Sequence, residues 1–111
     1  MNVERIQGYH AHIYFGPSSI DQARELRGKI EENFEISMGR FHEKEVGPHP
    51  RWSYQVAFGP ELFASLVPWL ALNRAELLVF IHGISGDDLY DHTALAMWLG
   101  ESLPLKLEIF G

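Results

Sequence analysis

"YHAHIYF", residues 9–15, alternates without a break: Tyr9, Ala11, Ile13 and Phe15 fall on one face of an extended chain, and His10, His12 and Tyr14 on the other. Such a segment reads as a strand that offers one face to a core and carries two imidazoles on its second face. Residues two apart on a strand stand roughly 6.5–7 Å apart at Cα, a spacing from which both rings can converge on one ion at about 2.0–2.2 Å. The remaining sequence has to supply what covers the apolar face and what else reaches the imidazoles.

Working outward, strand and helix signals alternate. "PSSIDQARELRGKIEENF" (17–34) places Ile20, Ala23, Leu26, Ile30 and Phe34 at spacings of three and four, an amphipathic helix. Ser19 followed by Gln22 predicts a capping box at its start. "EISMGRF" (35–41) is a strand candidate, and "HEKEVGPHPR" (42–51) reads as a loop on its glycine and prolines. "WSYQVAF" (52–58) alternates again. Pro60 suits a helix start, and Leu62, Phe63, Leu66, Val67 and Leu70 form a second helical stripe, in which Pro68 predicts a kink or an early end. "ELLVFIH" (76–82) is the strongest strand signal. After the loop "GISGDD", a third helix is expected through "HTALAMWLG", capped by Asp91, and "PLKLEIF" (104–110) is a candidate fifth strand.

The order β-α-β-β-α-β predicts an α+β, ferredoxin-like sandwich, two helices on one antiparallel sheet, extended by a C-terminal helix and strand. In its usual strand order, 4-1-3-2, the start of the first strand lies beside the end of the fourth. His10 and His82 then become neighbours, and His82 joins the open face if Leu77, Val79 and Ile81 face the helices. His49 and His92 fall in a loop and at a helix start, where functional residues often sit. Asp87, Asp88 and Asp91 fit turn and cap chemistry. "GISG" lacks the spacing and the lysine of a phosphate loop, and neither Ser53 nor Ser85 stands in a nucleophile elbow.

With 111 residues, the chain is expected to form a single domain over 1–111. A formal charge of −6 with no basic stripe argues against nucleic acid as a partner. No apolar run approaches the ~20 residues of a membrane span, and the N-terminal residues have no leader pattern, so a cytoplasmic location is expected. The chain has no cysteine, so any metal must be held by imidazole and carboxylate, ligands that suit iron, manganese or zinc.

Four segments, "YHAHIYF", "GRFHEKEVGPHP" (39–50), "FASLVPWLALNR" (63–74) and "FIHGISGDDLYDHTALAMWLG" (80–100), together resemble the small DOPA 4,5-dioxygenase-like proteins. They fall in the same order, and the resemblance extends over roughly residues 8–110. It implies a ferredoxin-like fold and extradiol cleavage of a catechol such as DOPA by O₂ and non-haem Fe(II), with zinc or another divalent metal as a substitute. On this reading His10, His12 and His82 hold the metal. His49 and His92 are acid/base candidates with Asp88 or Asp91 as orienting partners, and Tyr14, Arg40 and Arg51 are candidate substrate contacts.

Two other classes compete with this reading. One is a non-enzymatic metal- or small-ligand-binding module on the same fold, which a closed four-ligand site would favour. The second is a cofactor-free oxygenase that dimerises through the open sheet face, which would keep its activity after chelation. The apolar residues of that face, Leu78 and Phe80 among them, require cover. Either the "PLKLEIF" segment or a second copy in a homodimer would provide it.

Overall fold

In the computed structural model, which describes residues 2–111, the alternating stretch quoted above forms the central strand. β1 (Gly8–Phe15) pairs with β3 (Trp52–Phe58) on one side and β4 (Leu78–Ile84) on the other, both antiparallel. The short β2 (Ser37–Met38) extends the sheet beyond β3, and β5 (Ala96–Leu99) extends it beyond β4. The order β2-β3-β1-β4-β5 is the expected ferredoxin-like order with one strand added at the β4 edge.

Helices α1 (Ile20–Asn33) and α2 (Phe63–Asn73) bury their stripes on one face of this sheet. Ala23, Leu26 and Ile30 of α1, and Leu66 and Leu70 of α2, close on Ala11, Ile13, Val56, Val79 and Ile81. Burying each larger aliphatic side chain contributes about 1.5–3 kcal/mol relative to exposure. Tyr54 belongs to the same layer, and its hydroxyl donates to the Ala23 carbonyl at 2.9 Å, tying β3 to α1. Leu77, Val79 and Ile81 face the helices, which meets the condition that places His82 on the open face.

Three local expectations are corrected. Ser19 precedes α1 but does not cap it, because its hydroxyl accepts from the Gly16 N–H at 3.1 Å instead of from a helix N–H. Pro68 does not end α2, which runs on to Asn73; a 3₁₀ turn at Pro60–Leu62 leads into it. The strand expected over 35–41 shrinks to two residues.

The largest correction lies between residues 85 and 110. The third helix is a single turn, α3 (Asp88–Asp91), and Asp91 is its last residue; the cap is Asp87, whose carboxylate accepts from the Tyr90 N–H. His92 and Thr93 then close a turn by bonding back to the carbonyls of Asp88 and Leu89, and "AMWL" becomes β5. Residues 104–110 add no strand. They run as coil into a 3₁₀ turn, Leu107–Phe110, anchored where the Lys106 N–H reaches the Pro48 carbonyl at 2.8 Å. Lys106 also pairs with Glu45, and Phe110 packs on His92, its ring centroid 4.6 Å away. The C-terminal segment therefore joins the 42–51 loop in covering part of the open face.

Candidate metal centre

The register of β1 and β4 assembles the site. His10 pairs directly with His82, and His12 pairs with Phe80. Because cross-strand partners share a face, the three imidazoles stand together on the side away from the helices. Their ligating nitrogens all lie within 4.8 Å of one another. His12 and His82 are buried, at 5% and 3% exposure, while His10 stays half-open to solvent.

His12 Nε2 and His82 Nε2 are 3.1 Å apart. Two nitrogens each about 2.1 Å from one ion, at a right angle or a little more, stand about 3.0–3.4 Å apart. The observed separation fits that edge. The Nδ1–H of His82 donates to the Gly83 carbonyl at 3.0 Å, which leaves Nε2 as a lone pair aimed at His12. Two facing lone pairs repel unless a proton or a cation lies between them. The donor set therefore suits a divalent ion held by three neutral imidazoles.

Electrostatics point the same way. Burial, followed by its histidine neighbours His49, His82, His10 and His92, holds His12 well below the ordinary value of 6.5. Burial pushes His82 down to about 4, against a smaller opposing effect of its bond to Gly83. His10 is also lowered, by burial first and His92 second, with Asp91 opposing. All three imidazoles are accordingly neutral near pH 7 and present lone pairs rather than positive charge.

A second tier surrounds this group. His49 packs at a tilt against His12 with ring centroids 4.2 Å apart, and its Nδ1 bonds the Tyr14 hydroxyl at 2.7 Å. Burial, then the charges of His92 and His82, lowers His49 to about 4, and burial raises the Tyr14 hydroxyl above its ordinary 10. His92 lies against His82, centroids 4.1 Å apart, and its Nδ1 donates to the Asp88 carbonyl at 2.7 Å. Phe80 and Trp98, stacked at 4.7 Å, fill the floor on the β4–β5 side.

The two aspartates expected as orienting partners sit differently from one another. Asp88 receives His92 through its backbone carbonyl. The carboxylate of Asp91 is buried and taken up by Ser85, whose N–H donates at 3.0 and 3.1 Å and whose hydroxyl donates at 2.5 Å. It fixes the loop that carries His92 rather than bonding an imidazole. Ser85 was legible only as a failed nucleophile; its spacing of six from Asp91 was the available signal. Arg51 and Tyr14 share a cleft of about 390 Å³ with Trp52 and Leu78, reached from the far side of Tyr14. Arg40 is exposed in the turn after β2.

One neighbour was not singled out from the sequence. Gln55 stands opposite His12 on β3, and its place on the polar side of "WSYQVAF" was the signal for it.

A family model described as the Dopa 4,5-dioxygenase family matches residues 9–109. A DOPA 4,5-dioxygenase from Amanita muscaria is 32% identical over 111 residues, covering 92% of this chain and 49% of that protein. An uncharacterized 21.2 kDa protein from Botryotinia fuckeliana is 38% identical over 113 residues, covering 91% of this chain and 62% of its own length. The chain thus spans less than two thirds of either curated relative. A crystal structure of a "putative dioxygenase" from Nostoc punctiforme superposes with a TM-score of 0.96 at 42% identity, covering 97% of this chain and 94% of that one.

Proposed function

The chain belongs to the Dopa 4,5-dioxygenase family, and from that premise we propose that it opens the ring of a catechol such as DOPA, using O₂ and Fe(II) held by His10, His12 and His82. The observation that carries this reading is the convergence of three neutral imidazoles on one point at the edge of solvent. When bound, the ion supplies a Lewis-acidic, redox-active centre with positions left for oxygen-donor ligands.

The protein's own residues do the rest. The bond of His82 to Gly83 fixes which nitrogen faces the ion. His49 is the proposed base for a phenolic proton. Its pKa near 4 keeps it neutral, and Tyr14 holds its ring in place over His12. His92, with Nδ1 committed to Asp88, keeps Nε2 free to carry a second proton. Phe80 and Trp98 exclude water from the β4–β5 side. Arg51 is the proposed partner for a substrate carboxylate, since it lines the cleft behind Tyr14.

The test is anaerobic loading with Fe(II), followed by a panel of catechols and air. The expected outcome is a yellow ring-opened product with one O₂ consumed per catechol. Iron-replete protein that leaves every catechol in the panel intact would overturn the proposal.

A further inference from the structure

The open face is not closed evenly around the histidines. On β4 and β5 it carries Phe80 and Trp98, and beside His82, where the β5 partner is the small Ala96, the rings of His92 and Phe110 pack in turn. At Tyr14 the surface of the sheet itself is covered, since Tyr14 and its β3 partner Ser53 are buried at 1% and 2% exposure. Towards β3 and β2 it is bare. Ala57 lies beside His10, Ser37 lies beside Ala57, and the backbone N–H of Gly39 bonds Gln55. A Cβ on Gly39 would stand 3.2 Å from the Gln55 carbonyl oxygen and 3.3 Å from the Gln55 Cβ, a tight approach that glycine relieves. His10, Gln55 and Ala57 are the half-open residues here, whereas His12 behind them is buried. Of the three imidazoles, the half-open His10 is the one that borders this shelf.

Gln55 is the one long polar side chain on the shelf. Among the described residues its carboxamide makes no hydrogen bond, although a carboxamide carries two donor hydrogens and an acceptor oxygen. It is directly cross-strand from His12, a spacing of about 4.5–5.5 Å between Cβ atoms. We infer that Gln55 binds the incoming catechol, its carboxamide hydrogen-bonding an oxygen of the substrate while the ring lies over Ala57. The inference rests on the catechol reading above and adds the side of approach and a specificity-determining residue. A planar ring fits the shelf because Ala57, Ser37 and Gly39 leave it flat. The β4–β5 side, filled by aromatic rings, offers no such space.

Ligand binding can be read without turnover. Protein is loaded anaerobically with cobalt(II), whose visible bands report ligands at the ion, and titrated with 4-nitrocatechol and, separately, with azide. Azide is too small to need the shelf. In Gln55→Met the dissociation constant for nitrocatechol should rise about three- to ten-fold, the loss of one neutral hydrogen bond, with azide affinity and cobalt content unchanged. Ala57→Leu, which raises the shelf without touching Gln55, should weaken nitrocatechol and spare azide in the same way. Unchanged nitrocatechol binding in Gln55→Met overturns the inference, as does an equal loss of both probes, which would mark a disturbed metal group. Wild-type protein that binds azide and refuses nitrocatechol overturns the catechol reading itself, and this inference falls with it. Wild-type protein that takes up no cobalt removes the metal premise of both.

Discussion

His12 has the least freedom of the three imidazoles. It is buried, packed against the rings of both His49 and Phe80, and its Nε2 already stands 3.1 Å from that of His82. A residue so fixed contributes a donor that no neighbour can replace by swinging inwards. His12→Ala is expected to weaken metal binding by more than the roughly 10- to 100-fold that losing an outer partner costs. Competition against a chromophoric chelator measures this, and a variant that still binds one equivalent of metal at wild-type affinity would remove His12 from the ligand set. His10, at the half-open edge, is the proposed ligand whose loss the site should tolerate best. The pairing of His10 with His12 was visible in the sequence, because a period of two needs no tertiary information. The roles of Asp88 and Asp91 were not, because carboxylates near a histidine look alike until their hydrogen bonds are known.

At the scale of elements, the short segment from Ser85 to His92 works as a clamp. Asp91 is buried and accepts three hydrogen bonds from one residue, Ser85. Removing the Ser85 hydroxyl leaves a buried carboxylate short of a partner. Ser85→Ala is expected to cost about 1–3 kcal/mol, read as a lower urea midpoint, and an unchanged midpoint would show the clamp to be idle. This region is also where periodicity misled. Met97 and Leu99 of β5 pack against the core, while Trp98 stacks on Phe80 on the opposite face. A strand apolar on both sides has no alternation to detect, and its run resembles a helix segment. "PLKLEIF" failed in the opposite sense, with a clean alternation that finds no ladder. Pro104 has no N–H to offer, Lys106 makes one long-range backbone bond to Pro48, and the chain turns. β1, α1 and β3 were legible because each carries its apolar residues at a regular period on the face towards the core, although β1 also buries His12 and Tyr14 on its other face.

For the whole molecule, the placement of the site followed from topology once the strand order was accepted, since that order alone brings His82 beside His10. The cover over the open face did not, because a loop and a C-terminal turn carry no periodic signal. Packing several imidazoles under that cover has a thermodynamic consequence. His49 and His82 titrate near 4 in the folded chain and near 6.5 when exposed, and His12 is displaced in the same direction. Below the exposed value the unfolded chain binds more protons than the folded one, so stability must fall as pH drops from about 6.5 and level off below about 4. Chelator-treated protein should therefore show a lower urea midpoint at about pH 5 than at about pH 7.5; an equal midpoint at both would argue that the imidazoles are already protonated or solvent-accessible.

The register that sets His12 against His82 joins positions 70 residues apart in the chain. An ion shared between them would be a cross-link as well as a reagent, closing most of the polypeptide into one loop and holding β4 onto β1. Free energy gained on binding then counts towards folding. In a cell the lifetime of such a chain would follow the supply of that ion: when it is scarce, the molecules unable to work would also be the first to open and be degraded.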